Sequence, residues 1–568
     1  MTALGDQSPH RRSAAVGEGR SAAGENGEIP DVTDVAEGND VAYVDAVDPQ
    51  QHSGTDIGGV ATDGTADGSV TDGSAAGDLA GEGVAAVESA DEPAADQADP
   101  TPPAARDLPD GFQVQIDLKA ARGGDLRYLV GGSPTRLMRM SDTALGMTSD
   151  DGRIEVCNNV TRRLARALLD AGVANPRPMF GPRTDDVTVV VPVKDNQAGV
   201  DRLVDALAGL KVIVVDDGSQ TPIAVDRPDV KVIRFDANRG PAAARNAGVD
   251  AATTDFVAFL DSDVVPATDW LTVLLAHFSD PSVGIVAPRI VGLRAADKSA
   301  SLAERYENGW SSLDMGPVES AVLPSTRVPY VPSAAMVVRR NAFCGFDESL
   351  RVAEDVDLCW RMHAAGWRIR YDPVARVAHD HRTTLRDVLA RRCFYGTGAA
   401  HLASRHGDRA APVVMSVPMA AAVVALLTRT RIGAAIAMLI FTQMAVRLRR
   451  RLGDLPSAPL VSAQLTSRAA GHGLLQAAGA ICRHYWPVAL LLALISRRFR
   501  TLAVQVAIIE GVVSWVRDLI TDPATPPALG PFRYLLMHRL DDLAYGAGLW
   551  QGVITQRDPE ALRPVISR

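Results

Sequence analysis

The chain has 568 residues, of which 46% are hydrophobic and 22% are charged, and its formal net charge is -10 at pH 7. This composition is typical of a globular protein with about two to four domains. It excludes a disulfide scaffold and argues against a cysteine-bound structural zinc, because the 5 cysteines form no CxxC pair. The first residues, MTALGDQSPHRRS, hold no apolar run, so no secretory signal is expected.

Residues 1–107 form an acidic segment rich in Ala, Gly, Asp, Glu, Ser and Thr. The segment carries 22 acidic residues against four arginines, and Tyr43 is its only aromatic residue. Such a composition buries too little apolar surface to offset the loss of chain entropy on folding. We therefore expect a disordered acidic tail, and a docking segment is the alternative.

Residues 108–182 predict a small α+β module. The stretch LRYLVGGSPTRLMRMSDTAL indicates a strand, a Gly-Gly turn and a second strand. The stretch VTRRLARALLDAGVANP indicates a helix, because Val160, Leu164 and Leu168 share one helical face and Gly172 follows them. No cluster of catalytic residue types occurs in this segment.

Strands and helices alternate over residues 183–411. Four short, valine-rich runs predict strands that are buried on both faces of a parallel sheet: VTVVVPV (187–193), KVIVVDD (211–217), VKVIRF (230–235) and DFVAFLD (255–261). The alternation predicts an open α/β sheet of the nucleotide-binding kind. No GxGxxG follows the first strand and no GxxxxGK[ST] occurs, so neither a dinucleotide fingerprint nor a P-loop is supported.

From residue 412 to the end the chain is apolar and basic, with 17 arginines, no lysine and eight acidic residues. Its apolar runs occupy 413–427, 432–446, 487–496 and 502–516. Each run has about 10–15 residues, whereas an upright transmembrane helix needs about 20. Arginines beside apolar runs suit anionic lipid headgroups. We expect short membrane-embedded hairpins or a helical region that lies on the membrane, and a soluble helical bundle is the alternative.

Two motifs follow early strands of the predicted sheet. Asp216 and Asp217 of VVDDGS stand at a carboxyl end, where open α/β sheets bind ligands and a carboxylate can accept hydrogen bonds from a base or a ribose. The alternative is a capped turn. In NRGPAAARNAG, Gly240 and Pro241 begin a helix with free backbone amides, and Arg245 can reach a phosphate or an acid on a neighbouring strand. A solvated helical arginine is the alternative there.

Asp261 and Asp263 of FLDSD end the fourth apolar run. Residues i and i+2 of a strand point to one face, so we expect these two carboxylates to project together. Oxygen ligands of this kind suit Mg²⁺ or Mn²⁺, which would bridge to a diphosphate. The alternative is a helix cap that follows the strand.

Two further motifs hold acids and histidines. In AEDVDLCWR, Glu354, Asp355 and Asp357 open a helix, where acids suit the helix dipole and one of them can take a proton from an acceptor hydroxyl. In VAHDHR, His379 and His381 stand at strand spacing. One of these histidines can complete a metal site or contact a phosphate, and a structural role is the alternative.

Taken in order, VVVPVKD, VVDDGS, NRGPAAARNAG, FLDSD, AEDVDLCWR and VAHDHR resemble the motifs of family-2 glycosyltransferases with the GT-A fold, over about 185–400. The resemblance implies an inverting, metal-dependent transfer from a nucleoside-diphosphate sugar, and the QxxRW motif of processive synthases is absent. The implied roles are nucleotide-sugar binding for Pro192, Asp195, Asp216, Asp217, Arg245 and Asp261, metal binding for Asp263 and His379, and base catalysis for Asp355.

The order of the four segments resembles the glycosyltransferases of the mycofactocin system, which attach glucose to a redox cofactor made from a ribosomal peptide. The small module resembles peptide-recognition modules related to the pyrroloquinoline quinone peptide chaperone, which would hold a peptide by strand addition. The resemblance implies UDP-glucose as donor, a peptide-derived acceptor, Mg²⁺ or Mn²⁺, a β-linked oligoglucose product, no nucleic acid partner, and catalysis at the cytoplasmic face of the cell membrane.

Two alternatives stay open at this point. One is a membrane cell-wall glycosyltransferase that adds galactofuranose, rhamnose or mannose to a lipid-linked glycan, which the apolar C-terminal part favours. The other is a non-catalytic scaffold that binds a sugar nucleotide or a peptide, which the joint presence of Asp263 and Asp355 disfavours.

Overall fold

The structure, a computed structural model, describes residues 42–45, 106–122, 126–133, 135–177, 180–293, 300–453, 455, 457–521 and 529–567. Within the predicted acidic tail it describes the strand β1 (Ala42–Asp45), which pairs in parallel with residues 136–139. These four residues differ from the expected disorder. The rest of that prediction, up to residue 105, lies outside the described residues.

The N-terminal module consists of two small sheets and two helices. Its elements are β2 (Gln113–Ile116), β3 (Ala121–Arg122), β4 (Tyr128–Gly131), β5 (Arg136–Arg139), α1 (Asp142–Gly146), β6 (Arg153–Glu155), α2 (Asn159–Asp170) and β7 (Ala174–Pro176). The strands β4 and β5 are antiparallel, as the Gly-Gly turn predicts. Leu164 and Leu168 of α2 are buried in the core of the module. The side chain of Asn158 caps this helix by accepting hydrogen bonds from two backbone amides.

The described residues between 183 and 411 form the predicted open α/β sheet with its helices. The elements are β8 (Val187–Val193), α3 (Gln197–Ala206), β9 (Lys211–Asp216), β10 (Val230–Arg234), α4 (Pro241–Ala251), β11 (Phe256–Leu260), β12 (Val264–Pro266), α5 (Trp270–Ala276), β13 (Val283–Gly292), α6 (Leu302–Trp310), β14 (Ser320–Ala321), β15 (Ala335–Arg339), α7 (Glu354–Ala364), β16 (Arg368–His379) and α8 (Leu385–His406). Among the described residues the strand order is β10-β9-β8-β11-β15-β13-β16-β12, and β14 pairs with β16.

The four predicted strands all form, and their burial follows their place in the sheet. The strands β10, β9, β8 and β11 run parallel, and β15 is antiparallel to β11. Every residue of β8 is buried, because α3 and α5 cover one face of the sheet and α4 and α7 cover the other. The strand β10 lies at the edge and has no buried residue. The prediction that this run is buried on both faces was therefore wrong.

The C-terminal region is helical. Its elements are β17 (Val414–Ser416), α9 (Val417–Leu427), α10 (Arg431–Leu452), α11 (Ala458–Arg483), α12 (Trp486–Ile495), α13 (Arg497–Thr521), α14 (Pro531–Gln556) and β18 (Val565–Ser567). Flanking arginines and polar residues extend the apolar runs, so α10 has 22 residues and α13 has 25. By length and composition both helices could cross a membrane, and α11 with α12 forms an apolar pair bent by 79°. The expectation that every run is too short to span is therefore wrong for α10 and α13.

Glycines join the C-terminal region to the α/β sheet through a close contact between α8 and α14. A Cβ atom on Gly396 would collide with the carbonyl of Tyr545, and one on Gly548 would collide with the carbonyl of Cys393. Only glycine lets the two backbones approach so closely. The contact places α14 directly behind the helix that follows the last long strand of the sheet.

The N-terminal module docks onto the sheet through ion pairs. Arg166 donates to both oxygens of Asp280, at 2.8 and 2.9 Å. Arg368 likewise donates to both oxygens of Asp170, at 2.9 Å each. Two-point pairs of this kind fix orientation as well as distance. The module is thus held against the end of the sheet opposite to the carboxyl ends of β8, β9 and β11.

Candidate active site

The loops after β8 and β9 meet at the carboxyl ends of the parallel strands. Asp195 follows β8 with a φ of 53°, which is a left-handed conformation that non-glycine residues adopt at an energetic cost. Its backbone amide donates to Ser219 Oγ at 2.9 Å, and its carboxylate accepts from the amide of Gln220 at 2.7 Å. These bonds tie the two loops into one surface, and Pro192 lies buried in β8 just before it.

Asp216 and Asp217 hold this surface from within. Asp216 is 0% exposed, and its carboxylate accepts hydrogen bonds from the amides of Ser219 and Ile223 and from the Arg234 side chain. These bonds keep the pKa of Asp216 below its usual value, against the effect of its burial. The carboxylate is inaccessible in this structure, and its bonds to the two backbone amides give Asp216 the local role of the capped turn.

Asp217 fixes the start of α4. Its two carboxylate oxygens accept hydrogen bonds from the amides of Arg239 and Gly240, at 2.6 and 2.9 Å. Gly240 has a φ of 101°, where a side chain would be strained, and Pro241 stands at the first turn of α4 as predicted. The loop and the helix therefore share one carboxylate as their joint.

Arg245 of α4 links two acids across the site. This residue is buried, and its guanidinium donates to Asp261 at 2.7 Å and to Glu354 at 3.0 Å. Of the roles expected for Arg245, the structure shows the pairing with an acid after a neighbouring strand. A buried arginine between two carboxylates holds the end of β11 and the start of α7 at a fixed separation.

Asp261 and Asp263 differ in their surroundings. The strand β11 ends at Leu260, and residues 261–263 form a turn, so the strand alternation used to predict a shared face does not apply. Asp261 pairs with Arg245, whereas Oδ2 of Asp263 lies 3.5 Å from Nε2 of His379. Oδ1 of Asp263 is buried and has no hydrogen-bond partner within the described part of the chain. Burial is the main cause that raises the pKa of Asp263 above its usual value.

The chemistry of Asp263 and His379 fits a divalent cation. Two ligands bound at right angles about 2.1 Å from one ion are about 3 Å apart, which is close to the observed separation. An unpartnered buried carboxylate oxygen is also an available ligand. These two observations make the end of β16 and the turn after β11 the best-fitting metal site.

Two other groups of acids and histidines fit a metal less well. One is His277, Glu319 and Asp372, and the other is Glu510, His538 and Asp542. In the first group Arg177 and Arg370 each donate to Glu319 at 3.0 Å. In the second group Arg539 pairs with both acids. Arginines already neutralise Glu319, Glu510 and Asp542, so the surroundings of both groups disfavour a bound cation.

Asp355 stands at the start of α7 with a shifted pKa. Ala353, the residue just before α7, has a left-handed φ of 64°. Among the described residues, the Asp355 carboxylate accepts only from the backbone amides of Ser333, at 3.3 Å, and Val356, at 2.8 Å. Burial, together with the charge of Glu354, raises its pKa to about 7. A half-buried carboxylate with this pKa is suited to exchange protons near neutral pH.

Asp357, two residues later, has a structural environment. Its carboxylate accepts from Arg361 at 2.7 Å and from His406 at 2.9 Å, and it is 1% exposed. It therefore joins α7 to the end of α8. Of the three acids that open α7, the structure leaves Asp355 as the one that is only partly satisfied.

Some site residues were missed in the sequence. Arg234 holds Asp216 from the edge strand β10, and the amide of Ser333 reaches Asp355 from the loop before β15. Neither residue belongs to a motif. Arg234 reaches Asp216 from the neighbouring strand, and Ser333 contributes only its backbone amide, which any residue type could supply. Glu307 of α6 was also missed, because it pairs with Arg392, which is 85 positions away in the sequence and lies beside the histidines.

Comparison of the sequence with known proteins identifies one family and two relatives. The model of the family "Glycosyl transferase family 2" matches residues 188–344. A protein of Mycobacterium tuberculosis named "Pre-mycofactocin glycosyltransferase" is 49% identical over 469 residues, which cover 81% of this chain and 98% of that protein. The O-antigen chain rhamnosyltransferase RfbN of Salmonella typhimurium is 28% identical over 205 residues, 34% of this chain and 64% of that protein.

Among solved structures, a mannosyltransferase from Pyrobaculum calidifontis in complex with GDP-Man and Mn²⁺ has 18% sequence identity and a TM-score of 0.29. The alignment covers 65% of this chain and 89% of that chain. The family match over 188–344 coincides with β8 to β15 and the loops described above. The GT-A fold expected from the motifs is thereby confirmed.

Proposed function

The chain belongs to glycosyltransferase family 2 and, within it, to the pre-mycofactocin glycosyltransferases, and from this membership we propose an inverting hexosyltransferase that moves glucose from UDP-glucose to a mycofactocin-type, peptide-derived cofactor precursor. The product would be a β-linked oligoglucose. The observation that carries the proposal is Asp355, whose pKa of about 7 suits a general base beside the strand ends.

The donor would lie across the carboxyl ends of β8, β9 and β11. Pro192, Asp195 and the loop held by Asp216 and Asp217 would form the nucleoside pocket. Asp261, which remains partly exposed beside Arg245, would face the sugar diphosphate. Support for this placement comes from the rule that ligands of open α/β sheets bind outside the carboxyl ends of the strands.

A Mg²⁺ or Mn²⁺ ion would be held by Asp263 and His379, whose donor atoms fit such a cation. When bound, the ion supplies positive charge that stabilises the diphosphate as it departs. Arg245 keeps Asp261 in place beside these ligands through its 2.7 Å bond. The protein thereby fixes the position of the leaving group before the reaction begins.

Asp355 would remove the proton from the acceptor hydroxyl. The acceptor oxygen then forms a bond to the anomeric carbon on the face opposite to the departing UDP, and the proton remains on the Asp355 carboxyl. A single displacement of this kind converts an α-linked donor into a β-linked product. Glu354 cannot share this role, because Arg245 holds its carboxylate at 3.0 Å.

The four segments would act as separate domains: an acidic tail (1–107), a peptide-recognition module (108–182), the GT-A domain (183–411) and a membrane-associated helical region (412–568). Strand addition to the module would use β6. This strand lies at the edge of its sheet, and β2 is its one strand partner among the described residues. The outer edge of β5 already pairs with β1. A peptide-derived acceptor would have to extend from the module, which is docked at the opposite end of the sheet, to Asp355 at the carboxyl ends of the strands.

The C-terminal helices would attach the enzyme to the cytoplasmic face of the cell membrane. Their polarity supports this, because α13 turns Glu510 and Ser514 toward the protein, where Arg539 of α14 binds Glu510. No residue of α12 is buried. The exposed apolar side chains of α12 and α13 include Leu490, Leu491, Leu494, Ile495, Phe499, Val504, Ile508, Ile509 and Ile520. Polar contacts inside and apolar residues outside are the pattern of helices in lipid.

Arginines add an attraction to anionic lipids. They flank the apolar helices in two groups, Arg447 with 449–451 at the end of α10, and 497–498 with Arg500 at the start of α13. Each basic residue near an anionic surface contributes about 1 kcal/mol of binding. Extraction of membranes with carbonate tests this part: an embedded protein stays in the pellet, and release into the supernatant would contradict it.

The donor is tested by binding and hydrolysis of a panel of UDP- and GDP-sugars with and without Mn²⁺, for the wild type and Asp263→Asn. We expect a preference for UDP-glucose that depends on the metal and is lost in the variant. Peptide-derived and lipid-linked acceptors are then compared by product analysis. Transfer to the lipid-linked glycan alone, or a preference for GDP-mannose, would contradict the proposed substrate. Binding without any turnover would contradict an enzyme.

A further inference from the structure

We propose that His381 is a positioning residue for the metal site: it sets which ring nitrogen of His379 carries hydrogen, and so leaves Nε2 of His379 free to bind the cation beside Asp263. The inference rests on the metal site of the proposed function, and it assigns a role to a histidine outside the ligand set.

The two imidazoles face each other through the same type of nitrogen. Nδ1 of His379 lies 3.2 Å from Nδ1 of His381, and the ring planes are tilted by 36°. The other nitrogen of His379, Nε2, lies 3.5 Å from Oδ2 of Asp263. His379 therefore stands between Asp263 on one side and His381 on the other.

This arrangement restricts the hydrogen positions. A hydrogen bond between two Nδ1 atoms requires one to donate and the other to accept. A nitrogen that binds a metal must offer its lone pair, so a neutral His379 bound through Nε2 carries its hydrogen on Nδ1. His381 must then accept that hydrogen at its own Nδ1. The second nitrogen of a metal-bound histidine commonly has such a partner, which is usually a carboxylate, a carbonyl or water.

Packing holds both rings in place. His379 and His381 are both buried, and a Cβ atom on Gly292 of β13 would lie 3.1 Å from Cδ2 of His381. Nε2 of His381 has no hydrogen-bond partner within the described residues. In a neutral His381 ring whose Nδ1 accepts a hydrogen bond, Nε2 carries the hydrogen. A cavity of about 10 Å³ adjoins both histidines and is also lined by Glu307 and Ser311. This volume is roughly that of one water probe, which can accept that hydrogen.

The test compares His381→Phe, which removes the acceptor, with His381→Asn, whose side-chain oxygen can accept from His379. Binding of Mn²⁺ in the presence of UDP is measured on the full chain by electron paramagnetic resonance titration. We expect His381→Phe to weaken binding about 10–100-fold, which is the usual effect of removing such a partner, and His381→Asn to recover most of it. His401→Phe, at an exposed position of α8, is the matched control.

Thermal unfolding separates this effect from a loss of fold. If His381 were only structural, both variants would lose Mn²⁺ affinity in step with their loss of thermal stability. Electron spin echo modulation should show one nitrogen bound to Mn²⁺ in the wild type. Unchanged affinity in a folded His381→Phe, or two bound nitrogens, would overturn the inference and leave the metal site standing. If the wild type binds no Mn²⁺ with UDP, both the metal site and the inference are wrong.

Discussion

Two regions of the protein bury acids. The cleft at the strand ends holds Asp261, Asp263, Glu354 and Asp355, and the seam between α8, α13 and α14 holds Glu510, Asp541 and Asp542. Each of these seam acids has an arginine partner, whereas Asp263 and Asp355 have none among the described residues. In the seam, Arg539 pairs with Glu510 and lies 3.0 Å from Asp542, while Arg392 lies 3.1 Å from Asp541. In the cleft, Oδ1 of Asp263 has no hydrogen-bond partner among the residues that the structure describes. Of the contacts that the structure describes, Asp355 accepts hydrogen bonds from backbone amides only.

Buried acids that pair with an arginine have a structural role, and buried acids without such a pair are available for chemistry. An acid matched by an arginine is neutralised and joins two elements, at the expense of any further reactivity. An acid left partly unmatched keeps an altered proton affinity and a free lone pair, which are the properties that acid–base catalysis and metal binding need. The same comparison holds over two residues of α7, where Asp357 is matched and Asp355 is not.

The largest expected effect is on turnover. Asp355→Asn should lower turnover by about 10²–10⁴-fold, since the general base is lost, while the affinity for UDP stays unchanged. Steady-state kinetics with binding of UDP measures both. Asp357→Asn is the matched control, and it should lower the unfolding temperature more than the turnover, because it breaks the pairs with Arg361 and His406. Near-normal turnover in Asp355→Asn would mean that the base is misassigned.

In the seam the expected effect is on stability. Arg539→Met leaves Glu510 and Asp542 without their shared arginine, which should cost about 3–5 kcal/mol of unfolding free energy. Denaturant unfolding in detergent measures the change, and Arg533→Met on the same helix, for which no seam contact is described, is the control. A variant with normal stability but weakened UDP binding would break the comparison, because the seam would then serve the cleft.

The pH dependence should separate the two kinds of acid. Asp355 must be ionised to act as a base, so activity should rise about tenfold per pH unit and level off near pH 7, where its pKa lies. A carboxyl whose pKa is raised on folding stabilises the fold less as pH rises from about 4 toward 7. Asp355→Asn should therefore flatten both profiles. A wild-type activity profile that levels off near pH 4 would contradict the shifted pKa.

The smallest effect on the fold is expected at the outer face of the helices. Leu494 and Ile495 are 70% and 84% exposed, so replacing both by serine should change the unfolding free energy by less than about 0.5 kcal/mol each. Binding to anionic vesicles, measured by flotation, should nevertheless fall several-fold. Val374→Ser, an equally exposed apolar position at 69% in β16, should leave vesicle binding unchanged. Equal binding of all variants would remove lipid as the partner of this face.

Much of the fold was predictable because it depends on local pattern. The valine-rich runs predicted β8, β9 and β11 to within a residue or two, since strands covered on both faces are continuous apolar segments. The edge position of β10 was not predictable, because an apolar run does not tell which strands flank it. The lengths of α10 and α13 were underestimated, because helices continue through arginines that end an apolar run.

The sequence by itself determined the order of the motifs, the family resemblance and the residue types at the strand ends, since each is a property of neighbouring residues. Only the tertiary structure decided which acids are matched. Arg245 meets Glu354 across 109 positions of sequence, and Arg392 meets Asp541 from a different region of the chain. The reactivity of Asp355 depends on such distant charges and on burial, and neither is encoded in the spacing of a motif.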